Sequence, residues 1–288
     1  MRIKKTLLTG LAALFCSTAL STIPTSSNAA GIISAGTGFD LSSGDYGEET
    51  TTEITYIPLN FKYENDLYAL KMTIPYVRIT SEEGNVVGGG SNVVVVPTGE
   101  EGSTSSESES GLGDIVASMT YFLYGGDQAQ PLLPMVDLTA KVKFPTADEE
   151  KGLGTGEADY SIESDLTWFR GQTALFTTVG YKFMGSPDSY DLNNVLYGSV
   201  GVAHQVTSKI SAGILYDLRE ASTDSGSATS EATGYGSFRI RDNVRLLLYG
   251  VKGFSDGSPD YGFGFTIGYS MDPSDIDWLA PVRRITNL

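Results

Sequence analysis

The chain has 288 residues, 35 of them acidic and 19 basic, for a formal charge of −16. So acidic a balance argues against nucleic acid as a partner, and the single cysteine, Cys16, rules out a disulfide within the chain. Tyrosine, phenylalanine and glycine are plentiful, yet nothing beyond Leu20 approaches the roughly 20 consecutive apolar residues of a membrane helix.

Residues 1–29 have the layout of a secretory signal peptide: basic Arg2, Lys4 and Lys5, an apolar run from Leu7 to Leu20, then small residues ending in Ser27, Asn28 and Ala29. Cleavage is expected after Ala29. Phe15 does not suit a lipoprotein cleavage site before Cys16, so the exported chain is expected to carry neither a lipid anchor there nor a thiol. Loss of three basic residues takes 19 to 16 against 35 acidic ones, a charge of −19.

Twelve segments then read as strands: 32–41, 52–63, 67–80, 112–124, 132–144, 159–169, 173–183, 192–204, 209–219, 231–240, 244–253 and 260–270. Each is close to the ~9 to 11 tilted residues that cross a bilayer as β-structure. In the fourth, Ile115, Ala117, Met119, Tyr121 and Leu123 share one side, with Asp114, Ser118 and Thr120 opposite. In the fifth, Val136, Leu138, Ala140, Val142 and Phe144 oppose Asp137, Thr139, Lys141 and Lys143. The sixth sets Tyr160, Ile162, Leu166 and Trp168 against Asp159, Glu163, Asp165 and Thr167. The ninth sets Ile210, Ala212, Ile214, Tyr216 and Leu218 against Ser211, Gly213, Asp217 and Arg219. In the last, Tyr261, Phe263, Phe265, Ile267 and Tyr269 alternate with glycine, threonine and serine.

Nearly every strand thus has an apolar side, and no surplus apolar element exists to cover them. Lipid is the economical cover, and a closed sheet is the one non-helical way to satisfy backbone groups in hydrocarbon. A register slip of one would put Lys141 and Lys143 into lipid at roughly 2 to 4 kcal/mol each, so the polar sides face inward. The joins also alternate. Tight or short ones at 64–65, 170–171, 205–208 and 241–243, with a moderate one at 125–131, are interleaved with longer ones at 44–51, 81–111, 145–158, 185–191, 220–230 and 254–259. Outer-membrane barrels place short turns on the periplasmic side and long loops outside. The expected fold is therefore all-β: an antiparallel up-and-down transmembrane β-barrel of 12 strands over 30–270, with a periplasmic tail at 271–288. The segment 32–41 is the expected closing partner of the last strand. Asp260, Gly262, Phe265, Ile267 and Tyr269 resemble the terminal-strand signal read by the barrel-assembly machinery.

Inward charges supply the candidate lumen-lining residues: Asp137, Lys141, Lys143, Glu163 and Asp165, then Asp217, with Arg219 paired to Glu231, and finally Arg239 beside Arg245. A hairpin register in which residue i faces about 306 − i sets Lys143 opposite Glu163 and Lys141 opposite Asp165. Such pairs either brace the lumen, at roughly 0.2 to 1 kcal/mol each, or select solutes. In the long loop 81–111, the run Asn92 to Val96 is expected to pair locally as a hairpin or to fold over the pore mouth. Acidic loop residues such as Glu82, Glu100, Asp148 and Glu149 form a solvated outer rim or gather divalent cations against lipopolysaccharide. The one histidine, His204, shares a side with Val200 and Val202 near a short turn and is expected to face lipid headgroups. No catalytic set, metal set or cofactor is expected.

Three motifs stand in order: Gly111-Leu112-Gly113-Asp114; Lys141-Val142-Lys143-Phe144-Pro145-Thr146; and Gly152-Leu153-Gly154-Thr155-Gly156 followed by Asp159-Tyr160. In these the chain resembles the bacterial outer-membrane barrels grouped as putative components of the MetA pathway of phenol degradation. The pattern extends from Gly111 to about Tyr269. Ala147 departs from the glycine that the family often has after Pro-Thr. The resemblance implies an outer-membrane transporter for a small, aromatic or hydrophobic solute. A non-conducting structural or adhesion barrel acting through its loops is the alternative; an outer-membrane hydrolase is disfavoured by the lone histidine. Twelve strands fall between barrels filled by side chains and those with wide aqueous channels, so the pore is expected to be constricted and partly covered by loops.

Overall fold

The computed structural model describes residues 31–47, 49–81, 86–87, 94–95, 107–124 and 132–271. The chain divides into residues 1–30 and Gly31–Leu288, and all that follows concerns the second part. The expected signal peptide, the tail beyond Met271 and most of the loop 82–106 lie outside the described residues.

Twelve strands form one closed sheet. They are β1 (Ile32–Gly44), β2 (Thr52–Glu64), β3 (Tyr68–Ser81), β4 in two pieces (Glu107–Leu112 and Ile115–Tyr124), β5 (Met135–Phe144), β6 (Asp159–Arg170), β7 (Thr173–Phe183), β8 (Val195–Thr207), β9 (Ile210–Arg219), β10 (Thr229–Arg241), β11 (Val244–Gly253) and β12 (Tyr261–Ser270). Each pairs antiparallel with its successor. The last strand closes on β1, from Ser34 opposite Ser270 to Ser43 opposite Tyr261. Closure removes the free edge that an open sheet would present. A short ribbon pairs Val86–Val87 with Val94–Val95, the local hairpin reading of that loop.

Turn chemistry fixes the tight end. Asn65 Oδ1 accepts from the backbone of Leu67 and Tyr68, both at 2.9 Å, and Thr207 Oγ1 accepts from Lys209 at 3.2 Å and Ile210 at 3.1 Å. Gly171 supplies a φ of +60° between β6 and β7, a conformation that side chains with a Cβ rarely adopt. Register shifts near Leu123, Val206 and Ile240 fall beside the β4–β5, β8–β9 and β10–β11 joins at this same end. Bulges at a barrel rim bend the strand and increase its twist.

Burial is inverted relative to a water-soluble sheet. Large apolar side chains stand exposed on the outside, Ile162 at 61 % and Val179 at 57 %, while Thr139, Glu163 and Thr233 are buried inside. All five odd-numbered residues from Tyr261 to Tyr269 face out. The Trp168 indole donates to Leu132 O at 3.1 Å beside the β4–β5 join, an interfacial placement typical of membrane tryptophan. The barrel therefore spans a membrane.

The fourth strand differs instructively from the one expected. The fourth strand gains an outer arm, Glu107–Leu112, in a stretch whose serines and glutamates have low strand propensity. Pairing with Tyr76–Ser81 and hydrogen bonds from Arg78 Nε (2.9 Å) and Thr80 Oγ1 (3.2 Å) to Ser108 Oγ hold it. The break at Gly113-Asp114 lies beside Pro75, which faces Pro58 on β2 and has no N–H to give the ladder. Gly113 N donates instead to Pro75 O at 2.9 Å.

Candidate functional site

The break in β4 turns Asp114 towards the outer mouth, and the three motifs meet there. Asp114 Oδ1 accepts from the backbone N–H of Thr146 (3.1 Å) and Ala147 (3.0 Å). Thr146 Oγ1 donates to Gly113 O at 3.2 Å and accepts from Ile115 N at 2.9 Å. Lys143 Nζ stands at the centre, 3.2 Å from Asp114 Oδ2, 3.1 Å from Asp159 Oδ2 and 3.0 Å from Thr155 Oγ1. Asp159 also receives Lys182 at 3.3 Å. Glycine at 154 is required by the close approach, since a Cβ there would lie 2.8 Å from Asp114 Oδ2.

This latch draws the loop 145–158 into the barrel. Leu153 is 1 % exposed and packs with Tyr46, Ile54, Tyr56, Val77 and Ile79. Tyr46, from the β1–β2 loop, adopts φ +52°, which non-glycine residues seldom enter; burial of its ring against this cluster holds it there. The same burial pushes its phenol up to about 12, so it stays a neutral donor, reaching Ser42 Oγ at 3.3 Å. Two loops thus narrow the mouth from inside.

Below them lies an interior cavity of about 260 Å³. Lys71, Lys141, Lys143, Lys182 and Asp159 line one side, and Asp40, Asp217, Arg219 and Glu231 line the other, with Tyr46, Tyr56, Tyr197 and Tyr249 between. Lys141 bridges Glu163 at 2.9 Å, and the Tyr197 hydroxyl donates to the same carboxylate, also at 2.9 Å. Asp165 accepts from Thr178 Oγ1 at 2.5 Å. Tyr249 donates to Asp40 at 2.7 Å.

The β5–β6 register corrects the expected one. Lys143 faces Asp159, not Glu163, and Lys141 faces Ser161, not Asp165; residue i meets 302 − i. The slip is even, so every side chain keeps its face while its partner changes. The inward loop, anchored by Leu153 and Thr155, starts the hairpin four positions earlier on β6. Arg219 likewise lies opposite Thr229, to which it donates at 2.9 Å, while Glu231 lies opposite Asp217.

Ring and glycine pairs line the wall. Gly180 faces Tyr197, Gly201 faces Phe176, Gly213 faces Tyr235 and Gly264 faces Tyr249, each directly across adjacent strands. A Cβ on any of these glycines would fall 2.2 to 2.5 Å from the partner's ring or hydroxyl. The rings therefore lie over bare backbone, covering glycine positions that would otherwise leave gaps in the inner wall. Phe176, Leu215, Tyr235, Leu247 and Tyr249 make this part of the interior apolar.

The remaining candidates lie elsewhere. Asp137 is buried at 3 % opposite Asp165, outside the cavity lining. Arg239 and Arg245 face each other beside the β8–β9 turn, around a separate recess of about 10 Å³. His204 is exposed on the outer face and shares a 2.9 Å hydrogen bond with Thr173. Sequence reasoning missed Asp40, Asp159, Lys182, Tyr197 and Tyr249 as site residues. All five occupy inward positions of their strands, a signal that period-two counting alone carries.

Among solved structures the chain is similar to the COG4313 outer membrane channel from Pseudomonas putida F1, at 12 % identity and a TM-score of 0.65, with 84 % of this chain and 96 % of that one covered. The NanC porin matches at 12 % identity and TM-score 0.47 over 83 % and 99 % of the two chains. The P. putida toluene transporter TodX matches at 9 % and 0.43 over 85 % and 90 %. The fold is that of outer-membrane barrels. No curated protein sequence matches the chain. Residues 26–271 match the profile of the family described as "Putative MetA-pathway of phenol degradation", and the chain belongs to that family.

Proposed function

We propose that the protein is a bacterial outer-membrane channel that passes a small solute passively through a lumen constricted at its outer mouth. The single observation that carries this reading is the interior cavity of about 260 Å³, walled by charged and tyrosyl side chains, inside a barrel whose outer surface suits lipid. A barrel serving only as an anchor has no need to keep buried lysines and carboxylates, whose desolvation is costly. The candidate lumen residues Lys141, Lys143, Asp217, Arg219 and Glu231 are proposed to line the path, with Glu163 and Asp165 positioning them. Asp137, Arg239 and Arg245 are proposed to brace the wall nearer the tight turns. The family's description, which names phenol degradation, suggests a small aromatic solute, and the rings of Tyr197 and Tyr249 in the cavity wall suit one. Lipopolysaccharide at the acidic rim and recognition by the assembly machinery through β12 belong to the same proposal, as do export by the segment 1–29 and a periplasmic tail.

Purified protein in planar bilayers and liposomes tests the reading by single-channel current and solute-driven swelling. Small discrete currents, with uptake of a monocyclic aromatic, support it. Absence of current and of uptake for every small solute contradicts it. The inserted Leu153 favours a second reading, a barrel that stays shut and acts through its loops; that reading gives normal folding and no current even when the loop 145–158 is shortened.

A further inference from the structure

We propose that the lumen favours cationic over anionic solutes, and that Asp217, Glu231 and Asp40 set the preference. The inference rests on the channel reading and names the charge class that the channel passes. Charge is segregated across the cavity. On the β5–β7 side, Lys141, Lys143 and Lys182 are matched by Glu163, Asp114 and Asp159 at 2.9 to 3.3 Å, so that side is close to neutral. Lys71 on β3 adds one positive charge to that side. The opposite side is different. Along β9, β10 and β1, three carboxylates share one guanidinium, Arg219, among the described residues lining the cavity.

Asp217 and Glu231 are direct cross-strand partners. Like charges so placed repel and destabilise a sheet, and a cation passing between them relieves the repulsion. A second observation lies beside them. Ser199, the partner of Asp217 on β8, lines the cavity at 8 % exposure, and its hydroxyl has no hydrogen-bond partner. It is placed to accept from an ammonium group that the carboxylates attract. Arg239 and Arg245 stand around their own recess and do not line this cavity. Acidic side chains around a narrow pore select cations, because low-dielectric walls focus their field.

The test is the reversal potential of single channels across a potassium chloride gradient, joined by liposome swelling with benzylamine and with benzoate. The wild-type channel is expected to prefer potassium over chloride by about tenfold, the low end of electrostatic focusing in clefts, and to admit benzylamine faster than benzoate. Asp217→Asn with Glu231→Gln is expected to bring both ratios close to one, and Glu231→Gln alone to move them part of the way. Asp188→Asn, on the exposed loop between β7 and β8, is the control and leaves them unchanged. Heat-modifiable migration in detergent confirms that each variant is folded. A conducting wild-type channel with equal or anionic preference, or a double variant that keeps the wild-type ratio, overturns the inference while leaving the channel reading intact. A wild-type barrel without current overturns both.

Discussion

Lys143 and Asp159 face each other across the β5–β6 hairpin, 3.1 Å apart inside the barrel, and tie the loop between them to the wall. Asp114 and Thr155 complete the contacts of the same ammonium group. Motifs separated by more than forty residues thus act as one device at the mouth.

Lys143→Met leaves Asp114 and Asp159 as buried carboxylates with fewer partners. Breaking one partner from a buried pair costs roughly 3–5 kcal/mol, and here the loop can leave in place of the barrel unfolding. Single-channel recordings are expected to show larger and noisier currents than wild type, with heat-modifiable migration retained. Unchanged current with the loop still protected from protease would show that the latch does not hold it.

Leu153→Ala tests the apolar half of the same attachment. Truncating a buried leucine typically costs about 2–5 kcal/mol, which shifts the docking equilibrium of the loop by about 1.4 to 3.6 orders of magnitude at about 1.4 kcal/mol per tenfold. Proteolysis within 147–156 on intact cells is expected to accelerate accordingly, alongside a rise in mean current.

Gly201→Val and Gly213→Val test the rings on the wall. A side chain at either position displaces Phe176 or Tyr235 towards the axis. Conductance is expected to fall in both while the barrel still forms. Gly234→Ala, where a Cβ meets nothing within 4 Å, is expected to leave conductance unchanged.

Val179→Lys places a charge on the exposed outer face of β7. The cost at a bilayer midplane is roughly 2–4 kcal/mol, and urea unfolding in liposomes is expected to shift by that amount. A residue facing water or a partner subunit would show far less.

Period-two counting was enough to set the inside and outside of the strands, because Lys141, Lys143 and Asp165 alternate with Ala140, Val142 and Leu166 over several turns of the pleat. Closure was legible too, since the last strand needed a partner and β1 was the remaining edge. Register was not. The pairing of Lys143 with Asp159 depends on how far the loop folds inward, and that follows from Leu153 finding Ile54 and Val77, a contact with no local signature. The ring and glycine pairs were hidden for the same reason: Phe176 and Gly201 can be matched only once strand register is known. The arm Glu107–Leu112 escaped because its composition is that of a loop, while tertiary pairing with β3 makes it a strand.

Single-channel current from the purified barrel, recorded before and after shortening the loop 145–158, tests the central claim most directly. Small discrete currents are expected from the intact protein, with a clear increase once the loop no longer reaches Lys143 and Ile54. Silence from both forms, with folding verified by heat-modifiable migration, would contradict it.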